Sequence, residues 1–147
     1  MTCNIKTIQK ILVPTDGSDH SVCAAEFGIS MAKTLGAQIT VVYVIDEVVL
    51  NEFAKGPQRE NVEEELKQDG QRFTKYVACL AEKEGVKCDS LLTKGRPFEQ
   101  IVHLAKDLNM DLIVMGTSGK GGANKILIGS VTERVIEYST CPVLVVK

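Results

Sequence analysis

Apolar runs alternate with helix-period segments along this chain. Ile11-Leu12-Val13 is a short apolar run that ends in the turn Asp16-Gly17-Ser18. From there Val22, Ala25, Ile29, Ala32 and Leu35 recur at helical spacing, with Ser18 as N-cap and Gly36 as stop. Ile39 to Ile45 is continuous and rich in β-branched residues, the pattern of a strand buried on both faces. Asp46 to Gln58 loses the period. Its Val48, Val49, Leu50 and Phe53 read as a loop packed on its own domain, with a lid or partner-binding segment as the alternative.

The period returns in a long charged helix from about Arg59 to Glu84, striped by Val62, Leu66, Phe73, Val77 and Leu80. Its acidic run Glu63-Glu64-Glu65 reads as a solvated face near the helix start. Val86 to Thr93 carries Lys87, Asp89 and Ser90, a polarity that suits an edge strand. After the turn Gly95-Arg96-Pro97, a third helix shows Phe98, Ile101, Val102, Ala105 and Leu108. Leu112 to Met115 is a fourth strand. A glycine-rich loop, a short helix from Ser130 to Tyr138 and the strand Val143-Leu144-Val145-Val146 complete the series.

Five strands alternating with four helices predict an α/β domain: a mostly parallel sheet with helices on both faces. With the polar third strand at an edge, the order 3-2-1-4-5 satisfies right-handed crossovers. The winding then reverses between strands 1 and 4, and ligands in such sheets bind beyond the strand C-termini at that reversal. The segments facing it are Pro14 to Ser18 and Gly116 to Ser130.

A length of 147 residues fits one domain, spanning 1–147. A formal net charge of -2 argues against bulk electrostatic binding to nucleic acid or an anionic membrane. No run is apolar enough to span a bilayer, and Met1 to Lys10 has no signal-peptide pattern. Cys3, Cys23, Cys79, Cys88 and Cys141 are scattered and never form C-x-x-C, which points to a reducing cytoplasm without disulfides or zinc. Cys23 and Cys79 fall on helical stretches and read as small core residues.

The loop Gly116-Thr117-Ser118-Gly119-Lys120-Gly121-Gly122-Ala123-Asn124-Lys125-Ile126-Leu127-Ile128-Gly129-Ser130 holds the densest chemistry. Glycines allow close backbone approach and φ > 0, and successive N–H groups in such turns bind anions. The helix opened by Gly129-Ser130 adds a partial positive charge. Ser130 and Glu133 also form an S-x-x-E capping box, a structural reason for both residues. Neither G-x-x-x-x-G-K-[ST] nor G-x-G-x-x-G fits the loop. Asp16 precedes Gly17 and reads either as a turn former or as a ligand contact. His20 and His103 read as solvated or structural, and the spacing shows no catalytic triad.

Gly116-x-x-Gly119, nine residues, then Gly129-Ser130 resembles the G-2x-G-9x-G-[ST] pattern of the ATP-binding universal stress proteins. Ile11 to Ser18 and Ser130 to Val146 resemble the beginning and end of the same family. The resemblance implies a nucleotide site of Pro14, Thr15, Asp16, Val44, Met115, Gly116, Gly119, Gly129, Ser130 and Val131. In it Gly116, Gly119, Gly129 and Ser130 would hold a triphosphate through backbone N–H groups and the Ser130 hydroxyl. Asp16 would meet the ribose or a phosphate-bound Mg²⁺, and Val44 the adenine through its backbone. The resemblance assigns Lys120 and Lys125 no definite contact, because the loop interior from Lys120 to Ile128 varies within the family. The resemblance further implies a cytoplasmic homodimer paired through Val143, Leu144, Val145 and Val146, with at most slow ATP hydrolysis.

Two rival functions remain at this stage. One is an adenylating enzyme of the ATP-pyrophosphatase type, faintly suggested by Asp16-Gly17-Ser18-Asp19-His20-Ser21. The other is a dimeric interaction module that binds no nucleotide.

Overall fold

Each continuous apolar run becomes a strand with a parallel neighbour. The computed structural model describes residues 6–53, 55–118 and 128–147. Its strands are β1 (Lys10–Pro14), β2 (Gln38–Asp46), β3 (Cys88–Gly95), β4 (Leu112–Gly116) and β5 (Val143–Val146). They form one sheet in the order β3-β2-β1-β4-β5, and all four pairings are parallel. The expected order and the polar edge at β3 are both observed.

The central strands are buried on both faces, and side-chain alternation divides them between two cores. Ile11, Val13, Val41 and Val114 face α1 (Asp19–Leu35) and α3 (Gln58–Lys83). Leu12, Val42, Ile113 and Met115 face α4 (Pro97–Asp107) and α5 (Ser130–Tyr138). Ser18 caps α1 by accepting from Ser21 N, and Gly36 closes it with φ 68. Pro97 belongs to the first turn of α4 rather than to the turn before it, where its missing N–H costs nothing.

The stretch read as a loop contains a helix, α2 (Glu47–Phe53). Asp46 starts it, its Oδ1 accepting from Val48 N at 2.9 Å and Val49 N at 3.4 Å. Leu50 is fully buried, while Val48, Val49 and Phe53 are exposed. Leu50 joins Tyr43 and Ile45 in a third, smaller cluster, backed by Val62, Leu66 and Phe73 of α3.

The middle of α3 carries a glycine, unfavourable there by about 1 kcal/mol relative to alanine. A Cβ on Gly70 would stand 2.9 Å from Tyr43 Cγ and nearer still to Cδ1, so the ring of β2 packs directly on the helix backbone. The polar edge strand β3 is tied to the same helix by Lys94 and Glu63, 2.8 Å apart. Glu64 and Glu65 of the acidic run are exposed.

Cys23 and Cys79 are not core residues, since both are exposed. The buried face of α1 falls on Ser21, Ala24, Ala25, Gly28, Ile29 and Ala32, and that of α3 on Gly70, Thr74, Val77 and Ala81. Each cysteine lies off that face. Leu35 is likewise exposed at the last turn of α1.

Candidate functional site

A cavity of about 500 Å³ opens beyond the C-terminal ends of β1, β2 and β4, where the winding reverses. Pro14, Thr15, Asp16, Val44, Met115, Gly116, Gly129, Ser130 and Val131 all line it. Every sequence-predicted site residue within the described part of the chain is therefore on one wall or another. Gly119, Lys120 and Lys125 lie outside the described residues.

The β1 wall is built by short-range bonds. Thr15 N donates to Val42 O at 2.9 Å, which carries the strand ladder one residue past β1. The Thr15 hydroxyl, buried, meets the Ser21 hydroxyl of α1 at 3.1 Å. Asp16 Oδ1 accepts from Ser18 N at 2.9 Å, an Asx turn that leads into the α1 cap. The turn-former reading of Asp16 is thus correct, and the residue also lines the cavity.

The opposite wall is the start of α5. Gly129 N donates to Thr117 O at 2.6 Å, and the buried Thr132 hydroxyl donates to Gly116 O at 2.8 Å. These two bonds pin the helix start to the end of β4. They also place the N-cap at Gly129, so Ser130 is the first helical residue and the expected capping box does not form. Glycine has no side-chain oxygen to offer. Among the described residues no side-chain cap bond closes the first turn, and the positive end of the helix dipole lies there.

Gly116 and Gly129 are glycines for a different reason than expected. Neither has positive φ. A Cβ on Gly116 would come 2.8 Å from the carbonyl oxygen of His20, and one on Gly129 would come 3.2 Å from Ser118 Cα. Both glycines let backbone meet backbone, which brings the starts of α1 and α5 to the end of β4. The side chains of His20 and His103 are exposed, in line with the solvated reading.

Several lining residues gave no sequence signal. Pro97 and Ile101 of α4, with Val44 and Met115, supply apolar surface. Asp46, Val49 and Leu66 close the side toward α2 and α3. Thr132 is buried on the same face of α5 as Val135, three residues on, a spacing that could have singled it out. The Tyr43 phenol is held above its ordinary pKa, first by burial and then by Asp69, Asp16 and Asp46, so it stays protonated at neutral pH.

The cavity therefore joins a polar, N–H-rich side to an apolar side, a combination suited to a ligand with an anionic end and a flat apolar end. Among the described residues no group of three or more His, Cys, Asp or Glu side chains makes a metal site. No described helix is long and apolar enough to cross a membrane.

The family model described as "Universal stress protein family" matches residues 7–147. Universal stress protein MJ0531 of Methanocaldococcus jannaschii is 45% identical over 139 residues, covering 95% of this chain and 82% of its own. The structure of MJ0577 from the same organism superimposes with a TM-score of 0.85 at 32% identity, covering 97% of each chain. A universal stress protein of Archaeoglobus fulgidus, solved in complex with dAMP, shares the fold with a TM-score of 0.69 at 21% identity, covering 97% of this chain and 100% of its own. On sequence and fold together, the chain belongs to the universal stress protein family.

Proposed function

We propose that this universal stress protein binds ATP in the cavity at the β1/β4 switch point and acts as a homodimeric, nucleotide-dependent regulatory module. The observation that carries the reading is the cavity itself, which gathers Pro14, Asp16, Val44, Met115, Gly116, Gly129 and Ser130 around the start of α5. The phosphates would lie on the α5 N–H groups and the Ser130 hydroxyl. The base would lie on the apolar side, beside Val44 and Met115. The dAMP complex of the Archaeoglobus fulgidus protein supports an adenine nucleotide in this fold. Its low identity carries no residue assignment here.

Any Mg²⁺ would arrive with the phosphates, and Asp16 would add one carboxylate to it. Among the described residues lining the cavity, the carboxylates are Asp16 and Asp46, and the Asp46 Oδ1 already starts α2. The proposed chemistry is nucleotide binding, with any slow hydrolysis read directly by turnover assays.

Calorimetric titration with ATP tests the reading. The chain has no Trp and 3 Tyr, so a co-purified adenine nucleotide would also dominate its ultraviolet spectrum. Absence of ATP binding together with a protein-like spectrum would overturn the proposal. Multiple-turnover pyrophosphate release with a second substrate would replace it with the adenylating enzyme.

A further inference from the structure

We propose that Phe73 is a positioning residue for the nucleotide site, acting through Gly17 without touching the ligand. The proposal rests on the adenine-nucleotide reading of the cavity. Gly17 has φ 81, and a Cβ there would overlap the Phe73 ring, with Cδ2 only 2.6 Å away. The ring therefore lies directly on the peptide of the turn. Its neighbours in sequence are Asp16, whose Oδ1 holds Ser18 N, and Ser18, which caps α1. Phe73 is not among the residues lining the cavity, whereas Asp16 is.

The same turn of α3 grips the second wall. Gly70, three residues before Phe73, takes the ring of Tyr43, the residue before Val44 in β2. The two rings meet at 6.2 Å between centroids, tilted by 42°. One helical turn thus fixes the spacing between the β1 turn and the end of β2, the two segments expected to hold ribose and base. This grip belongs to the small cluster of Tyr43, Ile45 and Leu50, not to the two cores under the sheet. Loosening it moves the site while leaving those cores packed. Small displacements of positioning groups cost binding and reactivity steeply.

The test compares Phe73→Leu and Phe73→Met with Val77→Ala, which loosens the same helix from the main core, where Val77 is buried. ATP affinity is measured by calorimetry and amide exchange at Gly17 and Ser18 by NMR. Wild type is expected to bind, and both Phe73 variants to bind roughly ten-fold more weakly, with faster exchange at Gly17 and Ser18. Val77→Ala is expected to lose stability and keep wild-type affinity. Wild-type affinity in Phe73→Leu overturns the proposal, as does an equal loss in Val77→Ala, because affinity would then only follow stability. If Phe73→Leu does not fold, Phe73→Met decides alone. If neither folds, Phe73 holds the fold as a whole and has no separate positioning role. Failure of wild type to bind ATP is seen before any variant is made, and it removes the nucleotide reading itself.

Discussion

Tyr43 occupies the space that a side chain on Gly70 would need. In an exposed helix interior Gly→Ala stabilises by about 1 kcal/mol. Here the added methyl would meet the root of a buried ring, at Cγ and Cδ1, which cannot swing aside within β2. Overpacking of this kind costs about 1–3 kcal/mol. Gly70→Ala is therefore expected to lower the urea midpoint despite its better helix propensity. A higher midpoint would mean that the ring has room to move.

Such contacts separate what was legible in the sequence from what was not. The strand order followed from the alternation of apolar runs and the polarity of Lys87, Asp89 and Ser90, because those are local patterns with one low-energy packing. The contacts of Phe73 with Gly17 and of Tyr43 with Gly70 join residues far apart in the chain, and no spacing rule encodes them. The helix α2 was missed because its seven residues, Glu47–Phe53, include the β-branched pair Val48-Val49 and fall short of the length that shows a period. Its start depends on the Asp46 carboxylate. The loop ends, Gly116 and Gly129, were found by motif, but their reason, backbone against backbone, is visible only in three dimensions.

The position of the α5 N-cap separates two serines. Ser18 accepts from Ser21 N at 3.3 Å and caps α1, so Ser18→Ala is expected to cost about 1 kcal/mol of stability. Ser130 caps nothing, and Ser130→Ala is expected to change stability by less than about 0.5 kcal/mol. Under the nucleotide proposal it should still weaken ATP binding. Chemical denaturation and calorimetry on both variants check this. Equal destabilisation by the two would restore Ser130 as a capping residue.

Thiol reactivity follows from the placement of the cysteines. Burial pushes the Cys88 thiol up to about 11, with Asp89 adding to the rise against a lowering backbone hydrogen bond from Val41. A raised thiol pKa means less thiolate, here about one molecule in a thousand at pH 8. Cys23 and Cys79 are exposed on helix surfaces. Iodoacetamide at pH 8 is expected to label Cys23 and Cys79 well before Cys88, and labelling of Cys88 should accelerate as pH rises toward 11. Peptide mass mapping over time reads the order. Early labelling of Cys88 would show that its side of β3 opens in solution.

The two sheet edges differ in a way that bears on assembly. β3 presents Asp89, Ser90 and Lys94, polar side chains that discourage pairing, whereas β5 is Val143-Leu144-Val145-Val146, half-buried throughout. Ile113 is in register with Val143, and Ile113 N donates to Pro142 O at 2.9 Å. In a parallel ladder a residue bonds to both flanks of its partner, so Pro142, Leu144 and Val146 point their groups at β4. The N–H groups of Val143 and Val145 then face the open edge. Proline at 145 removes an outward donor and leaves the bonds to β4 in place. If the proposed homodimer pairs through β5, Val145→Pro is expected to give a folded monomer by light scattering, with unchanged far-ultraviolet circular dichroism. A folded dimer in that variant would place the interface elsewhere, and a wild-type monomer would remove the dimer from the proposal altogether.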